Sequence, residues 1–307
     1  MRLVFAGTPA PAVPSLRLLA ASSHDIGLVV TRTDAPRGRK RVLTPSPVAV
    51  EAENLGLDVL RTDRLDDAAT ERIAGLAPDL GVIVAYGGFV REPLLSTPRL
   101  GWINLHFSLL PRWRGAAPVQ RALIAGDRQT GASVFQLVAE LDAGDVFADF
   151  SRPVPDGADA GALLDLLADE GAELLGGVVA AIADGTARAV PQAGTSTSAP
   201  KLTDDDGRIR WGEPRDAVLA RIRGVTPEPG AHTTIGGGRM KVLAAREAPA
   251  DAPALAPGEF AGHGKDVVIG TATTPVLLES VQPAGRGAMR AADWWRGLRG
   301  DVPVAGA

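Results

Sequence analysis

The sequence predicts a doubly wound α/β domain with a parallel-type sheet, followed by a small barrel-like β domain. Three observations carry this. Strand and helix patterns alternate through the first two thirds of the chain, as in βαβ units. Leu80 to Ala85 is one continuous apolar run, the mark of a central parallel strand covered on both faces. After a Ser/Thr/Pro/Gly stretch from Val190 to Pro200, short β-like runs separated by Gly- and Pro-rich turns replace that alternation. At 307 residues the chain is long for a single core. The expected division is a first domain over 1–189, a linker over 190–204 and a second domain over 205–307.

In order, Arg2 to Ala6 reads as a buried strand that ends in Gly7-Thr8-Pro9, and a helical stretch then runs to about Ala21. A second strand covers His24 to Thr31. Pro45 to Gly56 reads as a helix, Asp58 to Leu60 as a short strand and Asp67 to Leu76 as a helix. Leu80 to Ala85 and Gly101 to His106 are the next strands, and Ala116 to Ala125 is the next helix. Thr130 to Leu137 and Val146 to Val154 are again strand-like, and Asp159 to Ala183 is a long apolar-periodic helix. Beyond Lys201, strands are expected at Arg208 to Trp211, Ala231 to Ile235, Met240 to Ala244, Val267 to Thr271 and Val276 to Val281. One helix is expected from Pro214 to Arg223.

Composition narrows the function. Hydrophobic residues make up 45% and charged residues 22%, which is ordinary for a globular protein. The net charge of −4 gives no overall attraction to nucleic acid, though a site responds to its local field. The chain has no cysteine, which excludes disulfides, thiolate nucleophiles and cysteine-ligated metals. The first apolar run is too short for a signal peptide. No stretch approaches the roughly 20 apolar residues of a membrane helix. A cytoplasmic protein that binds no metal and no membrane is expected, as a monomer.

The chemistry concentrates in Asn104-Leu105-His106-Phe107-Ser108-Leu109-Leu110-Pro111. Alternate residues of a strand face one side, so Asn104 and His106 project into one space. They sit at the carboxyl end of a strand, where ligands bind in open α/β sheets. Asp142 follows in a Leu-Asp-Ala-Gly-Asp turn, a composition that often does nothing but turn. An amide, an imidazole and a carboxylate together can stabilise an oxyanion and move protons. His24, His232 and His263 have no comparable surroundings. Gly7-Thr8-Pro9 lacks the glycines of a dinucleotide fingerprint and the lysine of a P-loop. Gly236-Gly237-Gly238 reads as a turn. From Arg37 to Arg41, four positive charges fall within five residues. Such runs are ordinarily solvated loops, but here the chain is otherwise slightly acidic and the loop follows the second strand, on the ligand edge. That suggests a polyanionic substrate. A later set, Arg286, Arg290, Arg296 and Arg299 with Trp294 and Trp295, suits either phosphate and base contacts or a core.

The run Asn104-Leu105-His106, the Ser108-Leu109-Leu110-Pro111 turn and Leu141-Asp142-Ala143-Gly144-Asp145 together resemble the signature of folate-dependent formyltransferases. Further features resemble the branch of that family acting on charged initiator tRNA. These are Phe5-Ala6-Gly7-Thr8-Pro9, the basic loop leading into Pro45-Ser46-Pro47-Val48, Arg112 to Gln120, Lys201-Leu202 and Val281 to Met289. The resemblance implies a Rossmann-like formyltransferase domain with a parallel-type sheet, then a C-terminal OB-like barrel domain that helps bind tRNA. It implies transfer of a formyl group from 10-formyltetrahydrofolate, as co-substrate, to the α-amine of methionine on initiator tRNA, for translation initiation. It casts Asn104, His106 and Asp142 as the catalytic trio, with Asn104 and an imidazolium His106 donating to the oxyanion. It casts Ser108, Leu109, Leu110 and Pro111 as the folate segment, and Arg37, Arg39, Lys40 and Arg41 as the part that meets the acceptor stem. The alternative within the family is a formyltransferase acting on a nucleotide-linked amino sugar. The segment Val225 to Ala231 departs from the family, where an aromatic Asn-Pro-Trp-Pro-like run is common.

Overall fold

The computed structural model of the protein describes residues 1–37, 41–298 and 304–306. It contains two compact units. One is formed by Met1–Pro118, Thr130–Arg152 and Leu164–Ala199, the other by Val119–Gln129, Pro153–Leu163 and Pro200–Ala307.

The first unit is built on a seven-stranded sheet. Its strands are β1 (Arg2–Gly7), β2 (Asp25–Thr31), β5 (Val59–Arg61), β6 (Leu80–Val84), β7 (Trp102–His106), β8 (Gln129–Gln136) and β9 (Val146–Pro153). They lie in the order β5-β2-β1-β6-β7-β8-β9. The pairs β2–β5, β1–β2, β1–β6 and β6–β7 are parallel and β7–β8 is antiparallel. Every residue of β6 is buried, as its unbroken apolar run requires. Gly81 is obligatory in that strand, because a Cβ there would lie 2.1 Å from the Trp102 ring. Helices α1 (Val13–Ala20), α2 (Pro47–Asn54), α3 (Asp67–Ala74) and, from Leu164 on, α5 (Ala160–Ala183) belong to this unit, while α4 (Pro118–Ile124) falls in the second unit from Val119 on. Ser46 and Asp66 cap α2 and α3 by accepting the Ala49 and Ala69 amides, each at 3.0 Å. At Gly171 the absence of a side chain lets Leu105 of β7 approach α5.

Between β2 and α2 the described residues pair as a two-stranded antiparallel ribbon of β3 (Ala35–Arg37) and β4 (Val42–Thr44). Sequence pattern missed it, since three-residue strands are too short to show a period.

The second unit carries an antiparallel half-barrel sheet, in line with the expected barrel-like domain. Its strands are β10 (His232–Ile235), β11 (Gly238–Glu247), β12 (Phe260–His263), β13 (Asp266–Ile269), β14 (Val276–Pro283) and β15 (Met289–Arg290). The order is β10-β11-β14-β13-β12, with β15 paired to β14. Gly236 and Gly237, at φ 53° and 76°, turn β10 into β11. Helices α6 (Arg215–Gly224) and α7 (Ala291–Arg296) complete it. Arg208 to Trp211 is no strand: it makes one isolated bridge, Arg208 to His232, and then turns. Trp211 is buried there and donates from Nε1 to Thr233 Oγ1 at 3.0 Å. Trp294 and Trp295 pack on Phe260, at centroid distances of 5.2 and 6.2 Å, and join the core of this unit. Both are partly buried against that core.

Candidate active site

Strand β7 ends the parallel run of the sheet and delivers Asn104 and His106 to its carboxyl edge. In the β7–β8 register Asn104 lies opposite Phe135, and His106 opposite Ser133. His106 is buried, with the Phe135 ring edge-on to the imidazole at 6.4 Å. Its Nε2 lies 2.8 Å from the Trp113 carbonyl. A carbonyl only accepts, so Nε2 carries the proton and donates. Nδ1 faces Asp142 Oδ2 at 3.9 Å. Burial pushes the His106 pKa below the ordinary histidine value, and the pull of Asp142 and of the Trp113 bond does not offset it. The imidazole is therefore neutral at neutral pH, with Nδ1 bare. This revises the expected imidazolium, whose charge would be stripped of water here. Asn104 is half-buried, and among the described residues its side-chain amide has no hydrogen-bond partner.

Asp142 is brought to His106 by an unusual backbone. It takes a left-handed conformation, φ 47°, and is buried. Its Oδ2 accepts the Gly115 amide at 2.7 Å. Gly115 itself has φ 126°, and a Cβ there would meet the Ala199 carbonyl at 2.7 Å. Trp113 (φ 62°) and Ala85 (φ 48°), just past β6, are also left-handed. Non-glycine residues rarely adopt this conformation, and it gathers at functional sites. Sequence reasoning missed the part of Trp113 and Gly115 because both act through backbone atoms.

The Ser108–Pro111 turn is fastened to β8. Ser133 Oγ donates to the Ser108 carbonyl at 2.8 Å and accepts the Leu110 amide at 3.2 Å. Ser108 is buried and its hydroxyl donates to the Arg112 carbonyl at 2.7 Å, so it shapes the turn. Leu109 and Leu110 are half-buried, and Pro111 is buried.

The stretch expected as a linker is hydrogen-bonded within the first unit as far as Ala199. Val190 exchanges backbone bonds with Val146, the Thr197 carbonyl accepts the Arg114 amide, and the Arg114 carbonyl accepts the Ala199 amide.

The basic residues are separate from the trio. Arg41 is exposed, with φ 49°, beside the exposed apolar pair Val42 and Leu43 at 60% and 67% exposure. Arg39 and Lys40, the Arg37 side chain and Arg299 lie outside the described residues. Arg286, Arg290 and Arg296 are exposed, with Arg296 paired to Asp293. Among the described residues no cluster of three His, Cys, Asp or Glu is placed to hold a metal ion, and no helix is long and apolar enough to cross a membrane.

A mostly parallel sheet carrying half-buried Asn104 and the buried His106–Asp142 pair, followed by an antiparallel β unit, is the architecture of a two-domain formyltransferase. The formyl transferase family matches residues 1–179, and the formyl transferase C-terminal domain matches residues 201–299. The chain is 64% identical over 298 residues to the methionyl-tRNA formyltransferase of Clavibacter sepedonicus, covering 97% of each chain. It is 60% identical over 305 residues to that of Leifsonia xyli subsp. xyli, covering 99% of this chain and 100% of the other. The chain belongs to the methionyl-tRNA formyltransferase family. Among solved structures it resembles WlaRD, a sugar 3N-formyl transferase, with a TM-score of 0.68. That likeness covers 94% of this chain and 99% of the other at 13% identity, and is one of fold.

Proposed function

We propose that the protein transfers the formyl group of 10-formyltetrahydrofolate to the α-amine of methionine on charged initiator tRNA. The single observation that carries the mechanism is the half-buried, unpartnered Asn104 amide on the same strand as a neutral His106 backed by Asp142. A buried-edge amide without a protein partner suits a ligand oxygen. The site therefore fits a donor that presents a carbonyl-like formyl oxygen. The Ser108–Pro111 turn, with its half-buried Leu109 and Leu110, is the surface that would hold the folate. When bound, the donor supplies an electrophilic one-carbon group at the formyl oxidation level.

The residues then divide the task. Asn104 donates to the oxygen on which negative charge develops, and the preset geometry means no reorganisation when that charge appears. The attacking α-amine is an ordinary amine with a pKa near ~8, so a usable neutral fraction exists at cell pH. After attack it must shed a proton. The bare Nδ1 of His106 accepts it, directly or through water, and the Asp142 carboxylate stabilises the resulting imidazolium; the bond from the formyl carbon to N10 of the donor then breaks and that proton passes to N10, releasing tetrahydrofolate and neutral His106. The Trp113 carbonyl fixes the tautomer by holding the proton on Nε2. Arg41, with Arg37, Arg39 and Lys40 close by in sequence, supplies positive charge to the phosphates of the acceptor stem.

The test is to incubate the purified protein with 10-formyltetrahydrofolate and either charged initiator tRNA or an amino-sugar nucleotide. Formylation of the charged tRNA alone is expected, and its loss in His106→Ala ties it to this site. Formylation of the amino sugar, with the charged tRNA untouched, overturns the substrate reading.

A further inference from the structure

Asp142 is held by more than the Gly115 amide. The Gln192 side chain reaches the same loop from the segment after α5. Its Nε2 donates to the Asp142 carbonyl at 2.8 Å and to the Gly144 carbonyl at 2.9 Å. Its Oε1 accepts from Arg114 Nε at 3.2 Å and from Arg114 Nη2 at 2.8 Å. Carbonyls only accept and a guanidinium only donates, so these four bonds fix which end of the amide is which. Both N–H groups and both lone pairs of one half-buried side chain are satisfied at once.

The four bonds join the two stretches that shape the trio. Arg114 lies between Trp113, whose carbonyl holds His106, and Gly115, whose amide holds Asp142. The Asp142 carbonyl belongs to a left-handed residue, a conformation that local chain preference disfavours and that fixed partners must maintain. The same segment also holds Trp113 itself: Thr197 Oγ1 accepts the Trp113 amide at 2.9 Å, and the Thr197 carbonyl accepts the Arg114 amide at 2.8 Å. Composition marks 190–200 as connecting chain, yet this part of it is built into the frame of the site.

We infer that Gln192 is a positioning residue for Asp142, clamping the 142–144 loop to Arg114 so that the carboxylate stands against His106 Nδ1. This rests on the catalytic reading of Asp142. Gln192 touches no reacting atom; it acts by fixing the loop backbone.

A double-mutant cycle in turnover tests it. Gln192→Met keeps the length of the side chain and removes all four hydrogen bonds. Gln192→Glu keeps the acceptor for Arg114 but replaces the NH2 group and its two donors with one oxygen facing both carbonyls. Both variants are expected to lower kcat for formylation by about tenfold, with KM values within about twofold of wild type. Introduced into Asp142→Asn, each is expected to lower kcat by less than about twofold, because the group it positions no longer functions. A merely structural role predicts the same loss in both backgrounds, and that result overturns the inference. So does a Gln192→Glu enzyme with wild-type turnover, since only the Arg114 contact would then matter. If Asp142→Asn itself keeps wild-type turnover, the catalytic reading of Asp142 fails instead, which is a distinguishable outcome. Thermal unfolding of each variant, compared with wild type, confirms that folded enzyme is being assayed.

Discussion

The corner around His106 and the basic hairpin of β3 and β4 lie in the same unit and are built on opposite principles. At the corner, side chains are buried and fastened to backbone: His106 to Trp113, Asp142 to Gly115, and Ser108 to Arg112. Among the described residues the hairpin strands pair only with each other, and Val42 and Leu43 stand exposed. Among these residues, the base of the hairpin is tied down. Thr31 and Ser46 share a hydroxyl hydrogen bond at 2.7 Å, Thr33 donates to Asp63 at 2.7 Å, and Arg32 donates to the Gly87 carbonyl at 2.6 Å. The difference matches two demands. Stabilising a developing charge needs donors fixed in advance. Meeting a large polyanion needs charge that reaches into solvent, where each contact is modest and screened by salt.

The sharpest way to break this contrast is to remove a group we propose as catalytic. His106→Ala and Asp142→Ala are each expected to lose about two to three decades in turnover, with the Kd for charged tRNA nearly unchanged. A variant that loses tRNA affinity instead would place its residue on the recognition side. The next effect is smaller and lies at the hairpin. Arg41→Ala should raise KM for charged tRNA several-fold, leave turnover near wild type, and differ less from wild type as salt rises. A defect confined to turnover and indifferent to salt contradicts the phosphate-contact role.

The smallest effect is a pH dependence of stability, which belongs to the buried corner alone. Folded His106 sits below the ordinary histidine value of 6.5. As pH falls through that value the unfolded chain takes up the proton first. The stability tied to the neutral buried ring is thus complete above about pH 6.5 and is lost as pH drops toward the lower folded value. Thermal denaturation from about pH 7 down to pH 5 should show a shallower loss in His106→Gln than in wild type. Equal slopes contradict the assignment of a neutral, buried imidazole.

What the sequence disclosed follows the same division. The α/β alternation was legible because long, strongly periodic segments such as Leu80–Val84 and α5 leave a pattern. Asn104 and His106 were legible because strand alternation places them together at a strand end. Asp142 was legible only through the family resemblance, since an Asp-Gly turn reads the same whether or not it bears a catalytic group. The Trp113 carbonyl and the Gly115 amide left no signal, because backbone groups have no residue code. Gln192 left a misleading one: a polar residue among Gly, Ser, Thr and Pro reads as connecting chain. The neutral state of His106 depends on how Phe135 and its other neighbours close over it, which only the folded packing determines.

The most direct test of the division between chemistry and recognition is the single-turnover formylation rate of Asn104→Ala at saturating charged tRNA, with its tRNA Kd measured alongside. The expected result is a rate about two to three decades below wild type with Kd within about twofold. A rate near wild type in a correctly folded Asn104→Ala enzyme contradicts it, because the oxyanion would then be stabilised elsewhere.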